Sequence, residues 1–168
     1  VIVLTRDPRR AEALFGARGL AVRDLNQIPA STRIDAIINL AGAGVSNGLW
    51  SAARKNVLMQ SRLKTTRALV ALIARLETKP HALVNASAVG FYGDRGDDAL
   101  TEHAARGRGF TADLCGAWER EAQHAGALGV RVALLRFGLI LGRDGGAWPL
   151  MTITMPFGLG AQFGDGRQ

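Results

Sequence analysis

The segment from Val84 to Asp94, VNASAVGFYGD, decides the fold, because an apolar run stops at Ser87 and breaks into a Gly-Phe-Tyr-Gly turn. Such a run is typical of a buried β-strand, and its abrupt end predicts the carboxyl edge of an open parallel α/β sheet. Because ligands bind outside that edge, we expect the Ser87 hydroxyl to face a bound molecule. The alternative is a strand-end hydroxyl that makes a structural hydrogen bond.

Further apolar runs predict strands on both sides of this segment. The predicted strands are Val1–Thr5, Leu20–Arg23, Ile34–Leu40, Ala82–Ala86 and Val130–Phe137. Helices are predicted from Asp7 to Gly16, from Trp50 to Leu76 and from Phe110 to about Leu128. On the last helix, the residues expected near one face are Phe110, Leu114, Ala117, Glu121 and Leu128. Strands that alternate with helices pair in parallel, so the sequence predicts an α/β sheet.

Composition is typical of a single globular domain. The 168 residues are 48% hydrophobic and 21% charged, which is within the range of one packed domain. The longest apolar stretches are too short to cross a bilayer, and the first residues lack the charge order of a signal peptide. The single cysteine, Cys115, permits no internal disulfide. We therefore expect a cytoplasmic protein without a membrane partner.

The formal net charge of +7 raises the question of nucleic acid. The arginines are scattered over predicted helices and turns, and they form no basic tract with interleaved aromatic residues. We therefore expect an arginine-rich solvated surface and no nucleic-acid partner. The histidines His81, His103 and His124 are not spaced with carboxylates or with Cys115 as metal ligands, so no metal site is expected.

Several motifs follow one another in the order of a known protein family. They are TRDP at 5–8, INLAGAG at 38–44, VNASAVGFYGD at 84–94, LTEH at 100–103, FTADLCGAWE at 110–119, LLRFGLILGRDGG at 134–146 and FGDGRQ at 163–168. Together they resemble the extended short-chain dehydrogenase/reductases, and most closely the atypical epimerase-family, nucleoside-diphosphate-sugar-epimerase-like subgroup. The resemblance implies a Rossmann-type doubly wound parallel sheet, with a partial NAD(P)-binding domain at 1–141 and the beginning of a substrate-binding subdomain at 142–168.

Members of this family open with a strand and a glycine-rich turn that binds the dinucleotide pyrophosphate, and no such motif precedes Val1. The resemblance therefore implies a chain that starts at the second strand of the family and stops before its C-terminal region is complete. In the doubly wound order the first strand lies between the second and the fourth. We expect a sheet without its middle strand, and a chain that aggregates or is only partly ordered when made alone.

The resemblance places a dinucleotide ribose at the end of the first visible strand. Thr5 takes the place of the acidic residue of NAD sites, and Arg6 can reach a 2′-phosphate with support from Arg9 or Arg10. A guanidinium suits that dianion because its donors form a planar fork, which favours NADP over NAD. The alternative is that Arg6 is a solvated charge at a helix start, where Asp7 competes for it.

Two more segments correspond to cofactor contacts of the family. Asp24 and Leu25 resemble its adenine-contacting pair, although Asp24 is equally well explained as a turn residue. Leu40, Ala41 and Gly42 end a predicted strand with small residues, which lets a ligand approach the backbone. A plain tight turn is the alternative for these three.

The Tyr-x-x-x-Lys pair that performs acid/base chemistry in the family is absent. Its positions fall at Thr111 and Cys115, and the one tyrosine of the chain, Tyr92, is followed four places later by Gly96. A threonine hydroxyl is far too weak an acid to replace a phenol without an activating base. The ordinary mechanism is therefore absent or relies on other side chains. Ser87 is the surviving candidate.

The remaining candidates each have a structural alternative. The family position of Ser87 falls there or one residue later, at Ala88. Tyr92 is better explained by packing than by proton donation. Cys115 is better explained as a buried helix residue than as a nucleophile.

By resemblance, Glu102 and Arg136 match family positions that line the cleft. The alternatives are that Glu102 is an exposed acid and that Arg136 is a strand-end arginine without a role in the site. We count Ser87 and Arg136 among the predicted cofactor contacts. We therefore predict an NADP-binding epimerase/dehydratase-like or oxidoreductase-like protein with an unknown small-molecule substrate. A catalytically silent NADP-binding sensor or regulatory protein is the alternative.

Overall fold

The computed structural model describes residues 1–46, 48–142, 145–146, 148–153, 155–158 and 160, so the FGDGRQ motif lies outside the described residues. The strands are β1 (Ile2–Leu4), β2 (Leu20–Val22), β3 (Ala36–Asn39), β4 (Ala82–Ala88), β5 (Arg131–Phe137), β6 (Leu141–Gly142) and β7 (Gly145–Gly146). The α-helices are α1 (Pro8–Phe15), α2 (Ala52–Arg75), α3 (Phe110–Gln123) and α4 (Trp148–Thr152). Short 3-10 helices span Gly16–Arg18, Leu25–Gln27, Val89–Tyr92, His124–Leu128 and Met155–Phe157.

The parallel strands form two separate blocks. In the first block β1 pairs with β2, and in the second the order is β3, β4, β5, all parallel. No described strand pairs with the edges of β1 and β3 that face away from these partners. The prediction of a parallel α/β sheet is therefore confirmed. The segments β6 and β7 pair separately and antiparallel.

The helix α2 packs against both blocks and holds them together. One buried cluster joins Val22 of β2, and Ile28 after the Leu25–Gln27 turn, to Leu69, Leu72 and Leu76 in and after the last turns of α2. Burial of each of these leucines contributes roughly 1.5–3 kcal/mol. A second buried cluster, which joins α2 to β4 and to the helices before β5, consists of Ile73, Leu83, Ala122, Ala125 and Val130.

Of the residues predicted near one face, Leu114 is buried, whereas Phe110, Ala117 and Glu121 are half-buried on helix α3. Its buried residues are Ala112, Leu114, Cys115, Gly116, Trp118, Glu119 and Ala122. The helix touches α2, β4 and the Val89–Tyr92 turn on different sides, so its buried surface is wider than one apolar stripe. Phe110 instead lies edge to face with Trp50, at a ring distance of 5.5 Å. The helix also ends earlier than predicted, at Gln123, and continues as a 3-10 turn.

Among the described residues, no helix has both the length and the apolar character that a bilayer crossing requires.

Candidate functional site

The candidate site lies at the carboxyl edge of the sheet, where the residues predicted to bind a ligand follow or end their strands. Thr5 and Arg6 follow β1, and Leu40 to Gly42 follow β3. Ser87, next to the last residue of β4, is in register with Arg136 of β5. The carboxyl ends of parallel strands form the ligand-binding edge in open α/β sheets.

An ion pair between strand β5 and helix α3 forms the centre of the site. Arg136 donates through Nε to Glu119 Oε1 at 2.8 Å and through Nη2 to Glu119 Oε2 at 2.9 Å. Ser87 Oγ donates to Glu119 Oε1 at 2.6 Å. The side chain of Glu119 is only 6% exposed and that of Arg136 18%. We call these three residues the Ser87–Glu119–Arg136 cluster.

The guanidinium of Arg136 also organises the turn after β4. Its Nη1 donates to Tyr92 Oη at 2.9 Å and to the Glu102 carbonyl at 3.0 Å. Its Cζ lies 3.6 Å from the ring centroid of Phe91, a cation–π contact. The hydrogen bond to Glu119 raises the pKa of Arg136 above its usual value, so the guanidinium stays charged. Because Tyr92 Oη accepts this bond, its own proton is free to be donated to a ligand.

Thr111 and Cys115, the predicted positions of the absent Tyr-x-x-x-Lys pair, lie beside this cluster. Thr111 packs on the turn after β4, where a Cβ atom at Gly90 would come within 3.0 Å of the Thr111 Cβ. Cys115, one helical turn later, is buried with 4% exposure. Burial raises the pKa of the Cys115 thiol, and the neighbouring Ser87 side chain and Ala88 backbone offset part of this effect. The thiol is therefore protonated at neutral pH, which disfavours it as a nucleophile.

A buried polar network fixes the turn after β3. Asn39 Nδ2 donates to Asn85 Oδ1 at 2.6 Å and to Thr66 Oγ1 at 3.0 Å, while Asn39 Oδ1 accepts from the Ala41 N–H at 3.2 Å. Trp118 Nε1 donates to the same Thr66 oxygen at 3.0 Å. Because every member finds a partner, the network holds the Leu40–Gly42 backbone in one position.

Arg62 packs directly under this turn. It lies 5.1 Å from the Trp118 ring, and its Nη1 donates to the Ala43 carbonyl at 3.2 Å. Burial lowers the pKa of Arg62. A Cβ atom at Gly42 would come within 2.9 Å of the Arg62 Cζ. Gly42 therefore serves a packing role in addition to its predicted contact with a ligand.

The start of α1 determines what Arg6 can bind. Asp7 caps the helix, since its Oδ1 accepts the Arg10 N–H at 3.2 Å, and its own N–H donates to Thr5 Oγ1 at 3.0 Å. Among the described residues, Arg6 makes no salt bridge with Asp7 or with another acid. The alternative in which Asp7 neutralises Arg6 therefore finds no support in the geometry.

Asp24 and Leu25 both have structural roles. Asp24 caps the Leu25–Gln27 turn and accepts the Asn26 N–H at 2.9 Å, in a reciprocal arrangement with the Gln27 side chain. The Leu25 side chain is buried in the cluster on α2. A contact of this pair with adenine would therefore come from the backbone or from the outer carboxylate oxygen of Asp24. Within the described residues, no group of three or more His, Cys, Asp or Glu side chains is placed to hold a metal ion.

Sequence reasoning missed three functional candidates, namely Asn39, Asn85 and Glu119. Asn39 and Asn85 interrupt apolar strands, and Glu119 is an acid at helical spacing from Cys115 and Ala122. Polar residues at core positions signal buried hydrogen bonds, because an unpaired buried polar group is costly. The polar residues at core positions were visible in the sequence, but their hydrogen-bond partners lie far away along the chain and could not be identified from it.

The fold and its polar carboxyl edge define a Rossmann-type protein. The sequence profile of the NAD dependent epimerase/dehydratase family matches residues 1–152. The chain therefore belongs to this NAD(P)-binding family, which confirms the resemblance drawn from its motifs.

Comparison with related proteins shows what share of their length this chain matches. An epimerase family protein of Mycobacterium bovis is 40% identical over 139 residues, which cover 83% of this chain and 46% of that protein. The chloroplastic SDR39U1 homolog of Arabidopsis thaliana is 36% identical over 175 residues, covering 99% and 49%. The crystal structure of the human epimerase family protein SDR39U1 (isoform 2) with NADPH has a TM-score of 0.80 and 27% identity, covering 100% and 55%. The chain thus spans about half the length of the curated relatives it matches.

Proposed function

We propose that the carboxyl edge of the sheet binds NADP, and that the chain is an epimerase/dehydratase-like or oxidoreductase-like protein for a small molecule. The main support for NADP as the cofactor is the environment of the Arg6 guanidinium. Asp7 caps α1 through its Oδ1, and among the described residues Arg6 makes no salt bridge with an acid. The human relative that was crystallised with NADPH supports the same cofactor.

The residues present fit a phosphorylated dinucleotide. An acidic residue at the place of Thr5 would bind both ribose hydroxyls and repel a 2′-phosphate, whereas threonine carries no charge. The fork of donors on Arg6 suits a phosphate dianion. Small residues in the Leu40–Gly42 segment let a ligand approach the backbone. Asp24 and Leu25 stay the predicted contact with adenine.

The affinities for NADPH and NADH test this proposal. We expect Arg6→Gln to weaken NADPH binding about tenfold, the equivalent of one charge-assisted hydrogen bond, with little effect on NADH. Arg33→Gln is the matched control, because Arg33 lies before the opposite end of β3 and pairs with Asp35 at 3.5 Å. A parent chain without preference for NADPH, or an equal loss for both nucleotides in Arg6→Gln, contradicts the proposal.

NADP⁺, when bound, would accept a hydride from an alcohol carbon, and NADPH would supply one to a carbonyl carbon. We assign Tyr92 and Ser87 to the substrate oxygen. Tyr92 keeps its phenolic proton for a carbonyl oxygen, whereas Ser87 Oγ, which donates to Glu119, keeps lone pairs that can accept from an alcohol hydroxyl. Arg136 and Glu119 would hold these two groups in place. NADPH oxidation with a panel of carbonyl compounds measures the activity. Ser87→Ala should lower kcat, whereas Ser31→Ala, an exposed serine before β3, should leave it unchanged.

A catalytically silent NADP sensor is the second candidate. It is favoured by Thr111 and the buried thiol of Cys115, which occupy the positions of the usual acid/base pair. Thermal stabilisation by NADP, without turnover of any carbonyl compound in the panel, would favour the sensor. Turnover that is lost in Ser87→Ala would favour the enzyme.

Two further properties belong to this proposal. Residues 1–141 would hold the dinucleotide, and residues 142–168 would begin a substrate-binding subdomain. The single buried cysteine fits a reducing compartment such as the cytosol.

A further inference from the structure

Two arginines of helix α2 contact the turn that follows β3. Arg54 donates through Nη2 to the Gly44 carbonyl at 2.5 Å. Arg62 donates through Nη1 to the Ala43 carbonyl at 3.2 Å. The two guanidiniums therefore bind consecutive carbonyl groups of one turn, which brings the two charges close together. We call these residues the Arg54–Arg62 pair.

The charges of the Arg54–Arg62 pair are not balanced by an acid. In the part of the chain that the structure describes, no salt bridge includes either arginine, and the 24 residues of α2 contain no Asp or Glu. Both side chains are half-buried. Burial lowers the pKa of Arg62, and the charge of Arg54 lowers it further. Because buried charges are normally paired, this arrangement is unfavourable until an anion binds.

Both arginines also keep N–H groups without an acceptor. Arg54 Nε is buried and has no hydrogen-bond partner among the described residues, although leaving such a donor unpaired is costly. Arg62 uses only Nη1, which donates to the Ala43 and Leu58 carbonyls. Its Nε and Nη2 groups bind no acceptor within the same described ranges. Neighbouring N–H groups of a guanidinium can bind a carboxylate or a phosphate through two parallel bonds.

Packing holds the Arg62 guanidinium in one orientation. Its Cζ lies 5.1 Å from the ring centroid of Trp118, and a Cβ atom at Gly42 would come within 2.9 Å of the same Cζ. The turn itself is fixed, since the Ala43 N–H donates to Ser61 Oγ at 3.0 Å. A side chain that is already held in place loses little conformational freedom on binding. The pair is therefore a preformed site rather than two mobile surface charges.

The Arg54–Arg62 pair lies beside the candidate reaction site. The Cys115 thiol is a neighbour of the Ser87 side chain and interacts electrostatically with Arg62. Only one side chain thus separates the pair from the Ser87–Glu119–Arg136 cluster. A small molecule bound at that cluster is within reach of the pair.

We propose that the Arg54–Arg62 pair binds an anionic group of the substrate, either a carboxylate or a phosphate. The substrate is then a small carbonyl or alcohol compound that carries an acidic group. The inference rests on the proposed function, because it concerns the substrate of the same site. It assigns the two arginines to the substrate and not to the cofactor.

Calorimetric titration of the 168-residue chain without nucleotide tests the anion site. Inorganic phosphate and acetate are the two probes, at constant ionic strength, and the tighter probe identifies the anionic group. Arg54→Gln and Arg62→Gln should each weaken its binding at least about tenfold, since each removes a charge-assisted hydrogen bond. The matched control is Lys64→Gln. Lys64 is exposed on the same helix, so its loss should change the affinity less than about twofold.

Two further measurements separate binding from a structural role. Circular dichroism checks that each variant folds, and Arg62→Lys keeps the charge but loses the planar fork, so it should also bind the probe more weakly. In nitrogen NMR spectra, the Nε–H signals of Arg54 and Arg62 should shift during the titration with the dissociation constant that calorimetry gives. Arginines that only hold the turn would show no such shift.

Titrations with NADPH present test the assignment to the substrate. The probe should still bind when NADPH is saturating. If acetate is the tighter probe, 4-oxopentanoate should bind at least about tenfold more tightly than its methyl ester. If phosphate is tighter, dihydroxyacetone phosphate should exceed dihydroxyacetone by the same factor. Either difference should disappear in Arg62→Gln.

Three outcomes would overturn the inference. They are no binding of either probe at millimolar concentration, displacement of the bound probe by NADPH, and equal binding of the charged and the neutral carbonyl compound. Displacement would assign the pair to the cofactor. Failure of NADPH to bind, with probe binding intact, would contradict the cofactor proposal alone, so the two failures are distinguishable.

Discussion

The strongest test of the site architecture is the substitution Glu119→Gln. It keeps the shape of the side chain but removes the charge that Arg136 and Ser87 bind. The amide group of glutamine would direct N–H donors at the guanidinium, which has only donors itself. The largely buried guanidinium of Arg136 would then lack a carboxylate partner, which destabilises the folded chain.

Loss of one partner of a buried ion pair costs about 3–5 kcal/mol. We expect the lower end, about 3 kcal/mol, because Arg136 keeps its bonds to Tyr92 Oη and to the Glu102 carbonyl. Near this chain length each kcal/mol shifts Tm by about 2–4 °C, so the expected decrease is about 6–12 °C. The control is Glu121→Gln, two residues later on α3. Its partner Arg67 is 57% exposed, so solvent screening makes the expected loss much smaller than that of Glu119→Gln.

Urea denaturation followed by circular dichroism measures both free energies of unfolding. The double variant Glu119→Gln with Arg136→Met should be less destabilised than the sum of its two single variants, because it leaves no unpaired charge. A loss below about 1 kcal/mol for Glu119→Gln, or strict additivity in the double variant, would refute the reasoning.

The remaining predictions concern packing, titration and association. Gly107→Ala should destabilise the chain by at least about 2 kcal/mol, because a Cβ atom would lie 1.9 Å from the Tyr92 carbonyl oxygen. The control is Gly126→Ala, where a Cβ atom would meet open space and stability should not change. Urea denaturation measures both variants. The raised thiol pKa of Cys115 means that the unfolded thiol ionises first above about pH 8.5. The free energy of unfolding should therefore fall between pH 8.5 and 10 by more in the parent than in Cys115→Ala. Light scattering should show concentration-dependent aggregation through the edges of β1 and β3 that pair with no described strand.

The strand positions were predictable because short apolar runs bounded by turns carry a local signal. The runs at Ile2–Leu4 and Ala36–Asn39 lie inside the predicted segments, and α2 begins two residues after its predicted start. The separation of β1 and β3 by a gap was expected from the family resemblance rather than from any local pattern.

The contacts of α3 were not predictable from its own sequence. Glu119 is buried because Arg136, on the following strand, lies opposite it in the fold, and such a partner is invisible to helical periodicity. Trp118 is buried for a similar reason, since its indole N–H reaches Thr66 on α2. The position of the candidate site was therefore predictable, whereas the ion pair at its centre was not.

Amide chemical shifts during titration with NADPH test the central claim most directly. The account predicts that the amides of Thr5, Arg6, Ala41, Gly42 and Ser87 shift together and with the same affinity. Shifts confined to another surface, such as the shallow pocket lined by Arg67, Glu121 and His124, would contradict the account.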